Sequence, residues 1–186
     1  MRAFQLKAYN QPAQFCNLEV QPPGFGEVRL RIAACGLNFA DLLMLEGKYQ
    51  ERPPLPMTLG MEVSGLVEAL GPGVTAPAIG TRVAVFATQG GLATHGIFAA
   101  DRCIPLPDAM PFTDAAAFQI AYGTSHLALD HKARLRPGET LFVTGAAGGV
   151  GLTAVEIGKR MGARVIASAR GADKLALLRA AGADHV

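Results

Sequence analysis

Thr140-Leu-Phe-Val-Thr-Gly-Ala-Ala-Gly-Gly-Val-Gly151 is the stretch whose reading decides the fold. Leu141 to Thr144 are four apolar or β-branched residues in a row, which predicts a strand buried on both faces, as in a parallel sheet. A glycine-rich turn, Gly145 to Gly151, follows at once. Beyond it Val150, Ala154, Ile157 and Met161 recur at helical spacing and predict the inward stripe of a helix, with Glu156, Lys159 and Arg160 off that face. Strand, glycine turn and helix are the context of a dinucleotide-binding fingerprint, here with Ala146, Gly148 and Gly151 at its three glycine positions. Glycines let the backbone approach a pyrophosphate, and the open N–H groups at a helix start favour an anion. An ordinary tight turn between strand and helix is the competing reading.

The residues downstream weigh against that competitor. Arg164 to Ser168 reads as a second strand, and Asp173 to Ala181 as a second helix with Leu175 and Leu178 on one face. Gly182 stops that helix, and Ala183 to Val186 opens a third strand. Strands alternating with helices imply right-handed crossovers and a parallel sheet, the first half of a Rossmann unit.

Composition bounds what the chain can be. Its 186 residues, half of them hydrophobic, suffice for one large or two small cores. A formal charge of +2, with no basic cluster interleaved with aromatics, gives no sign of nucleic acid. No apolar run reaches membrane-spanning length, and the first residues lack a signal-peptide layout. Cys16, Cys35 and Cys103 are far apart and form no C-x-x-C, so disulfides are not expected and a reducing cytoplasm is the default.

Residues 1–115 read differently from 116–186. Arg2–Ala8, Cys16–Val20, Val28–Ala34, Glu62–Leu70, Arg82–Phe86 and Leu92–Ala99 are expected strands, with a short helix over Asn38–Leu45 and a loop at Pro53–Pro56. Many short strands punctuated by Gly and Pro suggest a small, partly open β-barrel. Asp114–Lys132 is expected to be helical with a break at Gly123. The fold class is therefore α/β: a β-barrel domain, then a parallel-sheet domain.

Six motifs in this order resemble one family. They are Cys35-Gly-Leu-Asn-Phe-Ala-Asp41, Leu59-Gly-Met-Glu62, Gly71-Pro-Gly-Val74, Gly80-Thr-Arg-Val83, Tyr122-Gly-Thr124 and the glycine turn itself. Together they look like the zinc-free, zeta-crystallin-like quinone oxidoreductases of the medium-chain dehydrogenases/reductases. That resemblance implies a GroES-like barrel followed by a Rossmann domain. Thr81 stands where the family usually has Asp. Family members run on to complete a roughly six-stranded sheet, whereas this sequence stops as the third strand begins. The expectation is a fragment of a longer reductase, or a strand edge paired with another chain.

The resemblance also implies the site. Asn38 and Met61 stand where zinc-dependent relatives have cysteine and histidine ligands, and no four-cysteine lobe exists, so no metal is expected. His95, His126, His131 and His185 show no ligand spacing. Ala147, Gly148, Gly149, Val150 and Gly151 would cradle the cofactor pyrophosphate, and Thr124 would meet the nicotinamide-side phosphate. An acid closing the second strand would select NAD, but Ala167-Ser-Ala-Arg170 has none before Asp173. Ser168, Arg170 and Lys174 suit a 2′-phosphate instead, and Ser168 and Lys174 match NADP-contacting positions of relatives, so NADPH is the expected cofactor.

The implied reaction is hydride transfer from NADPH to a small-molecule quinone, enone or alkenal. Asn38 matches the family residue near the nicotinamide, and Tyr49 one at the substrate mouth. Leu43 replaces a second family tyrosine and makes the pocket more apolar. Asp41 is equally suited to brace its own helix. The complete protein would be a homodimer. Two other readings stay open: an NADPH-binding structural protein without turnover, and an enoyl-thioester reductase.

Overall fold

The computed structural model describes every residue, Met1–Val186, as two units, Met1–Ala117 and Phe118–Val186. The boundary lies just beyond the division expected between residues 115 and 116.

Unit 1 holds two antiparallel sheets. β1 (Arg2–Leu6) pairs with β2 (Gln14–Asn17) on one side and β4 (Met57–Thr58) on the other. A five-stranded sheet runs β7-β3-β5-β6-β8, from β3 (Glu27–Gly36), β5 (Glu62–Leu70), β6 (Arg82–Phe86), β7 (His95–Ala99) and β8 (Ile104–Pro105). Period-two alternation puts Val28 and Leu30, Val63 and Val67, and Val83 and Val85 on one face, where they close a core with Phe98. β3 shifts register between Ile32 and Ala34, opposite Gly65. Such bulges bend a strand so that a sheet can curl. α1 (Phe39–Leu45) and α2 (Phe112–Ala116) complete the unit.

The expected strand at Leu92 begins only at His95, because the chain changes sheets there. Ala93 bridges Ala3 of the first sheet, and Phe4 N–H donates to the Leu92 carbonyl at 2.8 Å, while His95–Ala99 pair with β3. The expected helix break at Gly123 is also misplaced. Helix α2 ends at Ala117, whose N–H donates back to Asp114, and Gly123 lies inside α3 (Gln119–His126). A glycine alone does not break a helix whose hydrogen bonds continue, and Leu127 N–H still reaches the Gly123 carbonyl. α3 then widens into a π-helical turn over Leu127–Lys132.

Unit 2 carries the parallel pair β9 (Thr140–Val143) and β10 (Arg164–Ala167), with α4 (Gly149–Arg160) between them in sequence and α5 (Ala172–Ala180) after them. His185 makes a parallel bridge to Ile166, so the third strand starts on the far side of β10. Two expectations change here. β9 is not buried on both faces: Val143 faces the core, whereas Phe142 is 61% exposed. The strand hydrogen-bonds only to β10, and the unit's core lies on one of its faces. The inward side of α4 is also not the expected stripe. Val150 is exposed, Ala154, Ile157 and Met161 are half-buried, and Thr153, Val155 and Gly158 are buried. α4 has two neighbours: Val155 packs into the core, while Thr153 Oγ1 meets Ser125 Oγ of α3 at 2.8 Å. A single apolar stripe cannot describe a helix covered on two sides. No helix is long and apolar enough to cross a membrane.

A Cβ on Gly65 would lie 2.3 Å from the Arg31 carbonyl oxygen, whereas one on Gly123 would meet nothing within 4 Å. Gly65→Ala is expected to destabilise the barrel by about 1–3 kcal/mol. Gly123→Ala should stabilise unit 2 by roughly 0.5–1 kcal/mol. Urea unfolding of the two variants checks both signs.

Candidate active site

The glycine turn is built by backbone geometry. Gly145 has φ +58°, a conformation that a side chain disfavours, so the tight-turn role falls one residue before Ala146. Ala146 is fully buried, and its N–H donates to the Ser168 carbonyl at 3.0 Å, tying the turn to the end of β10. Gly148 caps α4 with an extended backbone, and its N–H donates to Gly145 at 3.0 Å. A Cβ on Gly151 would stand 2.6 Å from the Gly145 carbonyl oxygen, so only glycine lets the helix sit so close to the turn. The first intrahelical bond here is Leu152 N–H to Gly148. The N–H groups of Gly149, Val150 and Gly151 therefore have no partner within the helix. Gly148, Gly149 and Val150 are exposed, while Ala147 packs partly against the core. A Cβ on Gly149 would meet nothing within 4 Å.

α4 is held in place from α3. Thr153 Oγ1 donates to the Ala121 or Val150 carbonyl, at 3.0 and 2.9 Å, and Ser125 Oγ reaches Val150 at 2.7 Å. Tyr122 stacks on Phe118 at 4.8 Å and donates to Glu156 Oε2 at 2.5 Å. That bond, with burial, pushes the Tyr122 hydroxyl pKa up. Thr124 is exposed on the same helix.

At the end of β10, Ser168, Arg170 and Lys174 are all exposed, and none of the three side chains has a hydrogen-bond or ion-pair partner. Ser168 is fixed by its backbone alone, its N–H donating to Val143 and its carbonyl accepting from Ala146. Lys174 lies in the first turn of α5 with Asp173 beside it. Lys159, by contrast, is bound to Asp184 at 2.7 Å, and Arg164 hydrogen-bonds to His185 at 2.6 Å.

In unit 1, Asn38 caps α1, and two carboxyl groups hold it. Asp41 Oδ2 accepts the Asn38 backbone N–H at 2.8 Å, and Asp41 Oδ1 accepts that of Gly60 at 3.2 Å. Asp41 is only 6% exposed and braces its helix rather than reaching toward a ligand. Burial raises its pKa despite these two bonds. Glu62 is buried at 2% exposure, and its Oε1 accepts from Asn38 Nδ2 at 3.0 Å. Glu62 is the residue sequence reading missed. Its signal was an acid opening an otherwise apolar strand, within the quoted Leu59-Gly-Met-Glu62. Cys35 completes the cluster, its thiol pushed up to about 12 by burial and by the neighbouring Asp41 and Glu62. Met61 is buried in the core. Tyr49 and Leu43 are half-buried beyond the cluster, with no hydrogen bond between Tyr49 and Asn38.

Residues 24–108 match the alcohol dehydrogenase GroES-like domain family. The chain is 42% identical over 162 residues to a quinone oxidoreductase-like protein 2 homolog of Nematostella vectensis, covering 86% of this chain and 44% of that protein. It is 35% identical to the quinone oxidoreductase of Rattus norvegicus, over all of this chain and 58% of that one. The quinone oxidoreductase of Thermus thermophilus, solved also in complex with NADPH, is 40% identical and superposes with a TM-score of 0.89, over 100% of this chain and 59% of its own. The chain thus spans about half the length of the relatives it matches.

Burial also pushes the Cys103 thiol up, to about 11. Both thiols stay protonated through pH 9, and only a thiolate attacks. At pH 8, iodoacetamide should modify Cys35 at least about a hundredfold more slowly than free cysteine, as read by peptide mass mapping. Labelling of Cys35 at the free rate would contradict its seclusion.

Proposed function

The chain belongs to the quinone oxidoreductase branch of the medium-chain dehydrogenases/reductases, and on that premise we propose that it binds NADPH and serves metal-free reduction of a conjugated carbonyl. The observation that carries this reading is the trio Ser168, Arg170 and Lys174, exposed and unpartnered after β10, whose end is tied to the glycine turn by the Ala146–Ser168 backbone bond. The residues fit the cofactor. Gly148, Gly149, Val150 and Gly151 open a helix of twelve residues, where free N–H groups and the helix dipole favour a pyrophosphate. Ala147 leads the chain into that start. Ser168, Arg170 and Lys174 would hold a 2′-phosphate, and Thr124 the phosphate nearer the nicotinamide. Bound there, NADPH supplies the hydride.

The barrel residues orient and stabilise. Asn38 and Tyr49 offer hydrogen bonds to the substrate, whose oxygen gathers negative charge. One well-aimed donor is worth about 2.7–4 kcal/mol at such a step. Leu43 makes the adjoining wall apolar, suited to a quinone, enone or alkenal. The donor set disfavours zinc: the Asn38 amide nitrogen is engaged with Glu62, and the Met61 thioether is packed in the core. We further propose a cytoplasmic homodimer, a setting in which Cys16, Cys35 and Cys103 remain free thiols.

A charge-assisted hydrogen bond contributes about 1.5–3 kcal/mol. In the full-length protein, Lys174→Ala should therefore weaken NADPH binding roughly ten- to hundredfold and leave NADH nearly unchanged. Equal losses for both would refute the 2′-phosphate assignment. The same protein should oxidise NADPH with quinones or alkenals and carry no stoichiometric zinc. Binding without turnover would favour a structural role, and a preference for enoyl thioesters would redirect the substrate class.

A further inference from the structure

Asn38 carries the most demanding role in the reading above, and an asparagine side chain is a poor device unless something fixes it. Its amide can rotate to exchange an acceptor for a donor, and the two ends differ in what they offer a ligand. Capping of α1 engages the Asn38 backbone and the oxygen end of its amide: Asp41 takes the Asn38 N–H, the Asn38 carbonyl accepts from Asp41 at 3.0 Å, and the capping box sets the side-chain oxygen toward the Asp41 N–H. The nitrogen end is held from elsewhere in the fold, by Glu62 at the first position of β5.

That position is tightly enclosed. Glu62 pairs with Gly36 of β3 on one side and Phe86 of β6 on the other. A Cβ on Gly36 would lie 2.7 Å from Glu62 Oε1 and 2.3 Å from the Ala116 carbonyl oxygen, so no larger residue leaves room for the carboxyl group. A buried acid is costly unless it is partnered, and an apolar residue would fill the start of this strand more cheaply.

We propose that Glu62 is a positioning residue for the reductase reaction, which turns the Asn38 amide so that one Nδ2 N–H is held by the barrel and the second N–H remains for ligand. The proposal rests on the reading of Asn38 as the residue that attends the reacting groups. A carboxyl oxygen at this place accepts a hydrogen bond, and only the amide nitrogen can supply one. Loss of that acceptor frees the rotation and leaves Asn38 to sample both orientations.

Side-chain amide exchange, followed by NMR in the full-length protein, tests the geometry without reference to turnover. The Asn38 Nδ2 proton that is donated to Glu62 should exchange at least about tenfold more slowly than those of exposed Asn10, since a buried partner withholds it from water. In Glu62→Met the difference should vanish, and in Glu62→Gln, whose Oε1 can still accept, it should persist. With NADPH and a quinone, Glu62→Met should lower kcat about tenfold at unchanged NADPH affinity, with no further loss when added to Asn38→Ala, as expected for coupled residues. Should Glu62→Met fail to fold, Glu62→Asp, which withdraws the acceptor by one methylene, replaces it. Exchange at Asn38 like that at Asn10 in the unaltered protein would overturn the proposal, as would Gln and Met variants equally impaired. A protein that reduces no substrate would refute the reductase reading, while the exchange data would still decide the geometry.

Discussion

The close seating of α4 on its own turn is the constraint on which the second unit depends. The Gly145 carbonyl and the Ala146 backbone stand where any side chain at residue 151 would have to go. With glycine there, the helix starts directly over the end of β9, and Ala146 can tie the turn to Ser168. Three consequences follow from the one contact. The first N–H groups of α4 are left free at the surface, Val155 drops into the core with Val143 and Val165, and the exposed residues that close β10 come next to the turn through its backbone. A side chain at 151 would push the helix away and disperse all three.

The first unit solves a related problem with buried carboxyl groups. Curling a sheet leaves strand ends whose backbone and side chains need partners. Asp41 supplies two acceptors, one for Asn38 and one for Gly60, and so joins α1 to the loop before β5. Glu62 reaches back to the Asn38 side chain. Burial first, and then the nearby Asp41 and Glu62, hold the Cys35 thiol far from ionisation. A small polar cluster inside an otherwise aliphatic barrel therefore fixes Asn38 from both its backbone and its side chain.

Where local chemistry decided structure, the sequence was legible. Glu62–Leu70 and Arg82–Phe86 match β5 and β6 to the residue, because each is paired on both edges and ends at a glycine-rich turn or polar loop. Gly182 ends α5 through its positive φ, as its position foretold. What failed depended on neighbours distant in sequence. Leu92–Thr94 bridge toward β1 of the first sheet, a fact carried by Ala3 and Phe4 rather than by the segment itself. The burial of α4 follows from α3 as well as from the strands, so a single stripe misled. Glu62 looked like an ordinary strand residue until its partner, 24 positions away, came into view.

Amide chemical-shift mapping during an NADPH titration of the full-length protein probes the helix start and the end of β10 together. Saturable shifts should be greatest at Gly148–Gly151 and at Ser168 and Arg170, where the free N–H groups and the unpartnered side chains lie. Shifts confined to Met1–Ala117, or none that saturate, would contradict a cofactor site built on the glycine turn.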